Sequence, residues 1–330
     1  MKYKVAVVGA TGLVGRMMLK VLEERKFPVS ELVPFASAKS AGTQIEFGGK
    51  KHVVLELNEQ NIKSAGVKYA LFSAGSGVSE KFAPVFAECG GVAIDNSSCW
   101  RMDERVPLVV PEVNPEAAFK HNGIIANPNC STIQAVVALK PLHDRFKIKR
   151  IVYSTYQAVS GAGRQGLDDL ENGLKGKPPQ KFPYAIAGNC LPHIDVFEDD
   201  GYTKEEHKMI NETRKILCDD SLKITATTVR VPVAYGHSES INIEFFNPVT
   251  REAALETLAA AKGIVVCDDV KRNVYPMPLD AAGKDEVFVG RVREDKSVEN
   301  GLNIWVVADN IRKGAASNAV QIAELLSSRD

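Results

Sequence analysis

The first half of the chain alternates short apolar runs with helical segments such as Val14–Glu24 and Glu80–Cys89. The apolar runs have the length of buried strands. Repetition of strand, helix and strand predicts an α/β fold with a Rossmann-type, doubly wound parallel sheet. The predicted strands are Lys4–Val8, Glu31–Phe35, Tyr69–Ser73, Val92–Ile94, Leu108–Val110 and Ile124–Ala126.

From about residue 148 the pattern changes to longer strand-like runs, with helices expected at Gln165–Gly173, Lys204–Leu217 and Arg251–Lys262. A mixed sheet with helices on one face, in an α+β domain, is therefore predicted. The proline-rich residues 175–195 are expected to form an ordered loop, and Gly314–Ser327 a closing amphipathic helix. The strand-like runs are IKRIVYSTYQAV, ITATTVRVPV, SINIEFF, EVFVGRVRED and GLNIWVVADN.

Length and charge narrow the class of protein. The chain has 330 residues, of which 45% are hydrophobic, so two domains are expected. Lys plus Arg and Asp plus Glu both number 41, and the formal net charge is zero. This balance argues against a nucleic-acid partner. The apolar runs are too short to span a membrane, and the N-terminus lacks the features of a signal peptide, so cytoplasm is the expected location.

The cysteine pattern predicts free thiols rather than disulfides or a metal site. Six cysteines are scattered along the chain, and none of them forms a C-x-x-C pair. A structural zinc site is therefore not expected, and in a reducing compartment the thiols stay free.

A glycine-rich turn follows the first predicted strand in VAVVGATGLVG, with Gly9, Gly12 and Gly15 spaced G-x-x-G-x-x-G. Glycines at a strand-to-helix turn let the backbone approach a pyrophosphate, whose charge is stabilised by the helix N-terminus. An ordinary tight turn is the alternative, but the position after the first strand favours a dinucleotide. The expected contacts from this turn are Gly9, Thr11, Gly12, Leu13, Val14 and Gly15.

The end of the second strand indicates which nicotinamide cofactor is used. NAD enzymes usually carry an acidic residue there, which binds the ribose hydroxyls. Here the chain reads PFASAKSAG, with Ser37, Lys39 and Ser40 instead. A cation with hydroxyls suits a 2′-phosphate, so NADP is predicted, although Lys39 as a solvated loop residue stays open.

Cys130 follows the last strand of the first domain, in IIANPNCSTI, and begins a predicted helix. A helix N-terminus stabilises a thiolate, and the carboxyl ends of the strands are where a nicotinamide is expected. The position therefore suits a nucleophile that carries an acyl group. A buried structural cysteine at a domain junction is the alternative, and position alone does not decide between them.

These features lead to a family resemblance that covers essentially the whole chain. The sequence resembles the aspartate-β-semialdehyde dehydrogenases, whose order of motifs it follows. Two positions depart from the common pattern: Cys99 stands where alanine is often found, and Lys39 where arginine is frequent. Lysine keeps the charge but lacks the planar fork of arginine. The matching segments are GATGLVG, SAKSAG, DNSSCWRMD, NPNCSTIQ, YQAVSGAG, EEHKM, RVPVAYGHSE and VADNIRKGAA.

The resemblance implies a reaction and a catalytic set. Family members reduce L-aspartyl-β-phosphate with NADPH to aspartate semialdehyde and phosphate, in the pathway to lysine, methionine and threonine. By this resemblance, Cys130 is the nucleophile that forms a thioester, His237 is its acid/base partner and Gln157 orients the acyl intermediate. An imidazole suits acid/base work because it titrates near neutral pH.

The resemblance also implies ligands for the charged groups of the substrate and further contacts with the cofactor. Arg230 matches the partner of the α-carboxylate and Glu205 that of the α-ammonium. The phosphate would be bound by Arg101 and Lys208, and the nicotinamide side of the cofactor by Ser160, Gly161 and Asn310.

Without the resemblance, Glu205 and Lys208 could be a solvated i, i+3 pair on a helix that opens with a capping box at Thr203. Arg230 and His237 are seven residues apart, which in an unbroken strand puts them on opposite faces. A shared site therefore requires an irregularity near Pro232 and Gly236.

Two other functions stay open. N-acetyl-γ-glutamyl-phosphate reductases use the same thioester chemistry on a similar fold, but their acetylated substrate needs no partner such as Glu205, and their cysteine segment typically reads P-G-C-Y. A non-catalytic NADP-binding paralogue should have lost one of Cys130, Gln157, Arg230 and His237, and all four are present.

The expected architecture has an NADP-binding domain at residues 1–127 and 313–330. A catalytic and dimerisation domain is expected at residues 128–312, resembling the C-terminal domain of glyceraldehyde-phosphate dehydrogenase. The resemblance implies a homodimer or homotetramer.

Overall fold

The computed structural model describes residues 1–329, which divide into two compact units. The first unit contains Met1–Asn129 together with the chain from Ala315 onward, and the second contains Cys130–Gly314. Within residues 1–329, no helix combines the length and the apolar character that crossing a membrane requires.

A parallel sheet forms the centre of the first unit, in the strand order β5-β2-β1-β6-β7-β8. Strands β6 and β7 are buried along their whole length, as expected when both faces of a parallel sheet are covered. The predicted Rossmann-type sheet is therefore confirmed. The strands are β1 Tyr3–Val8, β2 Val29–Ala36, β3 Gln44–Phe47, β4 Lys50–Val53, β5 Leu55–Glu56, β6 Tyr69–Phe72, β7 Val92–Asp95 and β8 Ile124–Ala126.

The first unit differs from the prediction in several details, and it also contains a short strand β5 and a helix α2 that were not predicted. Leu108–Val110 is not a strand, because Leu108 makes only an isolated bridge to Ala126. The hairpin of β3 and β4, which the sequence did not reveal, has partly or fully exposed residues throughout and so lacks a strong apolar pattern. The helices are α1 Leu13–Glu24, α2 Glu59–Ala65 and α3 Ser76–Glu88.

The second unit contains the predicted mixed sheet, in the strand order β10-β9-β11-β14-β13-β12. β9 pairs with β10 in parallel and with β11 antiparallel, so the sheet is mixed as predicted. The short edge strand β12 was missed because three residues give too little pattern. The strands are β9 Ile148–Gln157, β10 Lys223–Arg230, β11 His237–Phe245, β12 Ile264–Val266, β13 Val287–Asp295 and β14 Gly301–Ala308.

The helices of the second unit begin with α4, whose first residue is Cys130, as predicted. Residues 175–195 form a loop fixed by the Asp169 carboxylate, which accepts hydrogen bonds from the backbone of Gln180, Lys181 and Phe182. The helices are α4 Cys130–Phe146, α5 Arg164–Gly173, α6 Lys204–Leu217, α7 Arg251–Ala260 and α8 Pro278–Ala281.

The C-terminal segment begins with a π-helical turn at Arg312–Ala316 and continues as α9, Ser317–Ser327. The predicted single helix from Gly314 is therefore divided into two types of helix. Ala319, Val320, Ile322 and Ala323 of α9 are buried in the core of the first unit.

Candidate active site

Three predicted site residues lie at adjoining strand ends in the second unit. Arg230 ends β10 opposite Gln157, which ends β9. Since Tyr156 pairs with Ser238, His237 at the start of β11 lies beside Gln157. Directly paired residues share a face of a sheet, so Gln157, Arg230 and His237 project from the same face.

The irregularity required between Arg230 and His237 is present. The two residues belong to different strands, with β9 between them, and residues 231–236 form the connection. Gly236 has φ +89°, a left-handed backbone conformation that residues other than glycine rarely adopt. The seven-residue spacing is therefore compatible with one shared face.

The thiol of Cys130 and the imidazole of His237 are in contact. Cys130 Sγ lies 3.2 Å from His237 Nε2, at the N-terminus of α4. The other ring nitrogen, Nδ1, accepts a hydrogen bond of 2.9 Å from the backbone N–H of Ala158. Because Nδ1 is an acceptor, the proton of the neutral ring resides on Nε2, which then donates to the sulfur.

The surroundings of His237 favour its neutral form. The residue is fully buried, and burial together with the nearby Arg230 guanidinium holds the pKa of His237 well below its ordinary value. A second proton would also have to be placed on Nδ1, facing the N–H of Ala158. The ring is therefore held as a neutral hydrogen-bond donor toward Cys130.

Arg230 is a buried cation with spare hydrogen-bonding capacity. Its NH1 group donates to the carbonyl of Ala158 over 2.7 Å, and its Nε is buried without a hydrogen-bond partner within residues 1–329. Burial lowers the pKa of the guanidinium, while Glu205 and Cys130 act in the opposite direction. An arginine in this state is well suited to an anionic ligand.

Gln157, Glu205 and Lys208 form a continuous polar chain on the same face. Gln157 Nε2 donates to Glu205 Oε1 over 3.1 Å, and Lys208 Nζ lies 3.1 Å from Glu205 Oε2. Lys208 also donates to Asp195 over 2.7 Å. Burial disfavours the ammonium, but the carboxylates of Glu205 and Asp195 outweigh that effect and raise the pKa of Lys208.

The helix that carries Glu205 and Lys208 begins as its sequence predicts. Thr203 accepts from the backbone N–H of Glu206, and the Glu206 side chain accepts from the backbone N–H of Thr203. This capping box fixes the start of α6 and so the positions of Glu205 and Lys208 in its first turns. Glu205 is only 5% exposed, so the pair is not a solvated surface pair.

The predicted nicotinamide-side residues lie around the turn that precedes β11. Asn310 Oδ1 accepts from the backbone N–H of Gly236, and Asn310 Nδ2 donates to Ser160 Oγ over 3.0 Å. A Cβ on Gly161 would lie 2.8 Å from Arg230 NH1 and 3.3 Å from His237 Cε1. The SGAG segment is therefore a packed turn beside Arg230 and His237.

In the first unit, the glycine turn between β1 and α1 has the form that a dinucleotide requires. Gly9 has φ +81°, and a Cβ there would collide with the carbonyl oxygen of Ser73. A Cβ on Gly15 would collide with the carbonyl oxygen of Gly9. Gly12 caps α1 without a side-chain hydrogen bond, and the first turn of α1 contains no acidic residue. Thr11, Leu13 and Val14 belong to the same turn and helix start.

This turn fits the pyrophosphate of a nicotinamide cofactor, because its first N–H groups are not covered by a capping side chain. After β2, Ser37 and Ser40 are joined by a backbone hydrogen bond of 2.9 Å, and Lys39 between them is exposed.

Residues 1–329 contain no group of three or more His, Cys, Asp and Glu side chains that could hold a metal ion.

Arg101 is also in the first unit, where it is buried and engaged with backbone carbonyls. Its Nε donates to Asn127 and its NH2 to Asn96, both over 3.0 Å. The carbonyl contacts hold the guanidinium near the carboxyl ends of β7 and β8, which precede Asn96 and Asn127.

Sequence reasoning missed several residues that shape the second-unit site. The N–H of Ala158 and the backbone of Gly314 contact His237 and Cys130 respectively, and neither contact depends on a recognisable side chain. Asp195 lies 13 residues before Lys208, which it contacts, and Gln134 lies 103 residues before His237, so neither contact follows from a local sequence pattern. Glu239, two residues after His237, could have been found as an acid within a strand pattern.

Known proteins resemble the chain in sequence and in fold. The NAD binding domain of the semialdehyde dehydrogenases matches residues 4–121, and their dimerisation domain matches residues 139–313. The aspartate-semialdehyde dehydrogenase of Aquifex aeolicus is 61% identical, over 99% of this chain and 98% of that protein.

Solved structures give the same result. The crystal structure of aspartate semialdehyde dehydrogenase II from Vibrio cholerae complexed with ASA is 50% identical, with a TM-score of 0.95 and 99% of both chains covered. The aspartate semialdehyde dehydrogenase from Candida albicans, a crystal structure with NADP, is 27% identical, with a TM-score of 0.79 and 99% coverage of both chains. The chain thus belongs to the aspartate-semialdehyde dehydrogenase family.

Proposed function

We propose that the protein catalyses the NADPH-dependent reductive dephosphorylation of L-aspartyl-β-phosphate to L-aspartate-β-semialdehyde, in the route to lysine, methionine and threonine. Full-length similarity to aspartate-semialdehyde dehydrogenases supports the substrate. The observation that carries the chemistry is the contact between Cys130 Sγ and His237 Nε2 at a helix N-terminus. A nucleophilic thiolate held by a positioned donor is the arrangement that acyl transfer requires.

In the first step, the Cys130 thiolate attacks the acyl carbon of the substrate. The carbon–oxygen bond to phosphate breaks, inorganic phosphate leaves with a proton from solvent, and a thioester remains on Cys130. A nicotinamide cofactor, when bound, would supply the hydride for the reduction of this thioester. The resulting oxyanion collapses, the carbon–sulfur bond breaks, and the aldehyde leaves with the thiolate regenerated.

The geometry gives His237 a specific role in these steps. Its Nε2–H faces the sulfur, so it stabilises the thiolate before attack and again when the thiolate is expelled. Neither tetrahedral oxyanion needs a proton in order to collapse to thioester or aldehyde. We therefore propose that His237, the acid/base partner of Cys130, acts by donating a hydrogen bond to the thiolate. Gln157 is proposed to orient the acyl group.

Three side chains in the second unit match the charged groups of aspartyl phosphate. Arg230, with its unpaired Nε, would bind the α-carboxylate, and Glu205 would bind the α-ammonium. Lys208 would bind the phosphate, and the family resemblance proposes Arg101 as a second cation for that group. A buried carboxylate such as Glu205 favours a free amine over the acetylated amine of N-acetyl-γ-glutamyl phosphate.

The cofactor is proposed to be NADP rather than NAD. Gly9, Thr11, Gly12, Leu13, Val14 and Gly15 would bind the pyrophosphate at the start of α1. Ser37, Lys39 and Ser40 would bind the 2′-phosphate, since an exposed lysine between two hydroxyls complements that charge. Ser160, Gly161 and Asn310 would lie on the nicotinamide side.

The proposed assembly is a homodimer formed through the sheet face opposite the active site. Tyr156 and Trp305 project from that face, with their ring centroids 5.5 Å apart, and Tyr156 is 38% exposed although it lies in a central strand. Tyr275 and Met277 add further exposed apolar surface beside them. Exposed aromatic surface in a dimerisation domain suits a second copy of the chain.

The deciding experiment measures phosphate-dependent reduction of NADP⁺ with aspartate semialdehyde, for the wild type and for Cys130→Ala. Turnover that requires phosphate and is lost in the variant is the expected result. Turnover only with N-acetylglutamate semialdehyde would instead support the acetylglutamyl reductase. Binding of NADP without turnover on either aldehyde would identify a non-catalytic paralogue.

A further inference from the structure

Thr155 is a buried residue that the proposed reaction does not use, and it contacts Gln157 directly. Its Oγ1 hydroxyl donates a hydrogen bond of 3.1 Å to Gln157 Oε1. The two residues are two positions apart on β9, so both side chains project from the face that carries Arg230 and His237. Thr155 has no exposed surface, and Gln157 is only 1% exposed. The hydrogen bond is therefore protected from competition by water.

Glu205 determines which end of the Gln157 amide faces α6. Its carboxylate forms an ion pair of 3.1 Å with Lys208, so both of its oxygens are acceptors. Gln157 Nε2 donates to Glu205 Oε1 over 3.1 Å. A rotated amide would bring the Gln157 oxygen against this carboxylate, which places two acceptors in contact. The amide therefore has a partner at each end only in the observed orientation, with Nε2 on Glu205 and Oε1 on Thr155.

This arrangement leaves Gln157 with a donor to spare. The amide oxygen can only accept, so the one proton of the Thr155 hydroxyl points toward it. The amide nitrogen carries two hydrogens, and the bond to Glu205 uses one of them. The second N–H can donate to the carbonyl oxygen of an acyl group. Its use in catalysis requires that the amide does not rotate.

Substrate would compete for one of the two contacts that hold this amide. Under the proposed function, Glu205 binds the α-ammonium, which would then share the carboxylate with Gln157 and Lys208. The hydroxyl of Thr155 lies on a side chain without exposed surface, so it is not shared with a ligand in this way. The contact with Thr155 is therefore the one that holds the amide while substrate is bound.

We propose that Thr155 is a positioning residue, whose hydroxyl fixes the Gln157 amide so that one N–H of Nε2 stays directed at the acyl oxygen. Thr155 touches neither substrate nor cofactor in this proposal and acts only through Gln157. The inference rests on the proposed function, because the spare N–H has this purpose only if Cys130 carries an acyl group. Loss of the hydroxyl should therefore slow turnover without weakening the binding of the cofactor.

A matched control for Thr155 lies on the neighbouring strand. Thr228 of β10 pairs directly with Thr155, so the two side chains are neighbours on the same face of the sheet. Thr228 also has no exposed surface, but its Oγ1 has no hydrogen-bond partner within residues 1–329. Valine keeps the branched shape of threonine and lacks the hydroxyl. The two valine variants therefore differ in whether a hydrogen bond to Gln157 is lost.

The first test measures phosphate-dependent reduction of NADP⁺ with aspartate semialdehyde. Thr155→Val should lower kcat about two- to tenfold, the range expected for one hydrogen bond, with KM for NADP⁺ and for phosphate unchanged. Thr155→Ser keeps the hydroxyl and should restore most of kcat, and Thr228→Val should match the wild type. Wild-type kcat in Thr155→Val, or an equal fall in Thr228→Val, would overturn the proposal.

A double-mutant comparison tests whether Thr155 acts through Gln157. In a Gln157→Ala background, Thr155→Val should lower kcat no further, because the amide that the hydroxyl holds is already absent. Effects that simply multiply would mean that Thr155 acts by another route, and the proposal would fail.

The second test observes the amide itself and needs no substrate. In protein that carries isotope-labelled glutamine, the side-chain amide signals of Gln157 are the ones that Gln157→Ala removes from the magnetic resonance spectrum. Thr155→Val should shift these signals and speed the exchange of their hydrogens with solvent. Thr155→Ser and Thr228→Val should leave them near their wild-type positions. Unchanged Gln157 signals in Thr155→Val would show that the hydroxyl does not hold the amide.

The two measurements separate this proposal from the proposed function. Turnover of neither aldehyde would remove the proposed function, whereas the Gln157 signals would still decide whether Thr155 holds the amide. Shifted signals together with wild-type kcat in Thr155→Val would overturn the role of Thr155 in catalysis. If Thr155→Val does not fold, Thr155→Ala and Thr228→Ala provide the same comparison.

Discussion

Gly314 packs directly against Cys130 at the start of α4. A Cβ on Gly314 would lie 2.9 Å from Cys130 Cβ and 3.3 Å from its Cα. The atoms in the way belong to the nucleophile and its backbone, so they cannot move aside as the end of a long side chain could.

We expect Gly314→Ala to lower kcat by about 10²-fold, because a displacement on the order of 1 Å of a reacting group has that effect. Turnover of aspartate semialdehyde and the rate of Cys130 alkylation would both be measured. Gly77→Ala is the matched control, since a Cβ there meets nothing within 4 Å. A Gly314→Ala enzyme with wild-type kcat would contradict this, because it would show that α4 can shift without displacing the Cys130 thiol from its reactive position.

The low pKa of His237 predicts a loss of stability in acid. The unfolded chain binds a proton on this histidine below its ordinary pKa of about 6.5, whereas the folded protein does not. Stability is therefore present at neutral pH and is lost as pH falls, by at most about 1.4 kcal/mol per pH unit for one group. Thermal unfolding between about pH 5 and pH 7 measures this slope.

His237→Gln should reduce that slope, because glutamine does not titrate, while its amide can still donate toward Cys130. His52→Gln, in the β3–β4 hairpin of the first unit, serves as the control substitution. Identical slopes in His237→Gln and the wild type would mean that His237 is not the group responsible.

The position of Gly161 predicts that a larger residue there weakens substrate binding without destabilising the fold. A Cβ at this position would lie 2.8 Å from Arg230 NH1, the end of a flexible side chain, and 3.3 Å from His237 Cε1. The guanidinium can move, so Gly161→Ala should fold normally and raise KM for aspartate semialdehyde by about tenfold, equivalent to about 1.4 kcal/mol. Steady-state kinetics and thermal unfolding together test this, and a lower melting temperature with unchanged KM would contradict it.

Lys39 predicts cofactor selectivity. Replacement by alanine removes the cation proposed for the 2′-phosphate, and a charge-assisted hydrogen bond contributes about 1.5–3 kcal/mol. Lys39→Ala should therefore raise KM for NADP⁺ by at least about tenfold and leave KM for NAD⁺ unchanged. Lys50→Ala, an exposed lysine of the same unit, is the control. Equal changes for the two cofactors would remove Lys39 from the 2′-phosphate site.

The main elements of both sheets could be read from the sequence because their strands carry strong apolar patterns. Even the start of α6 was predicted, since the capping box at Thr203 is a local signal. Leu108–Val110 looked like a strand but makes only one bridge to β8, because burial of an apolar run does not require it to pair along its length.

The contacts that orient the side chains of the site could not be predicted from the sequence. The backbone N–H of Ala158 sets the tautomer of His237. Every residue except proline has such an N–H group, so no feature of the sequence marks this contact. The hydrogen bond from Gln134 to the backbone carbonyl of His237 joins residues 103 positions apart, so only the fold brings them together.

Asp195 competes for the lysine proposed to bind phosphate. Its Oδ2 lies 2.7 Å from Lys208 Nζ, shorter than the 3.1 Å to Glu205, and its side chain is 36% exposed. Phosphate must share or displace this contact. Asp195→Asn should therefore lower KM for phosphate about two- to fivefold, since a partly exposed ion pair contributes about 0.2–1 kcal/mol.

The control for this prediction is Asp199→Asn, because Asp199 is an exposed acid four residues after Asp195 and its replacement removes the same charge. A fall in KM for both variants would indicate a general effect of charge, which added salt should abolish. A rise in KM for Asp195→Asn alone would mean that Asp195 holds Lys208 in place for phosphate rather than competing with it. The two outcomes differ in sign because the same hydrogen bond either occupies Lys208 or orients it.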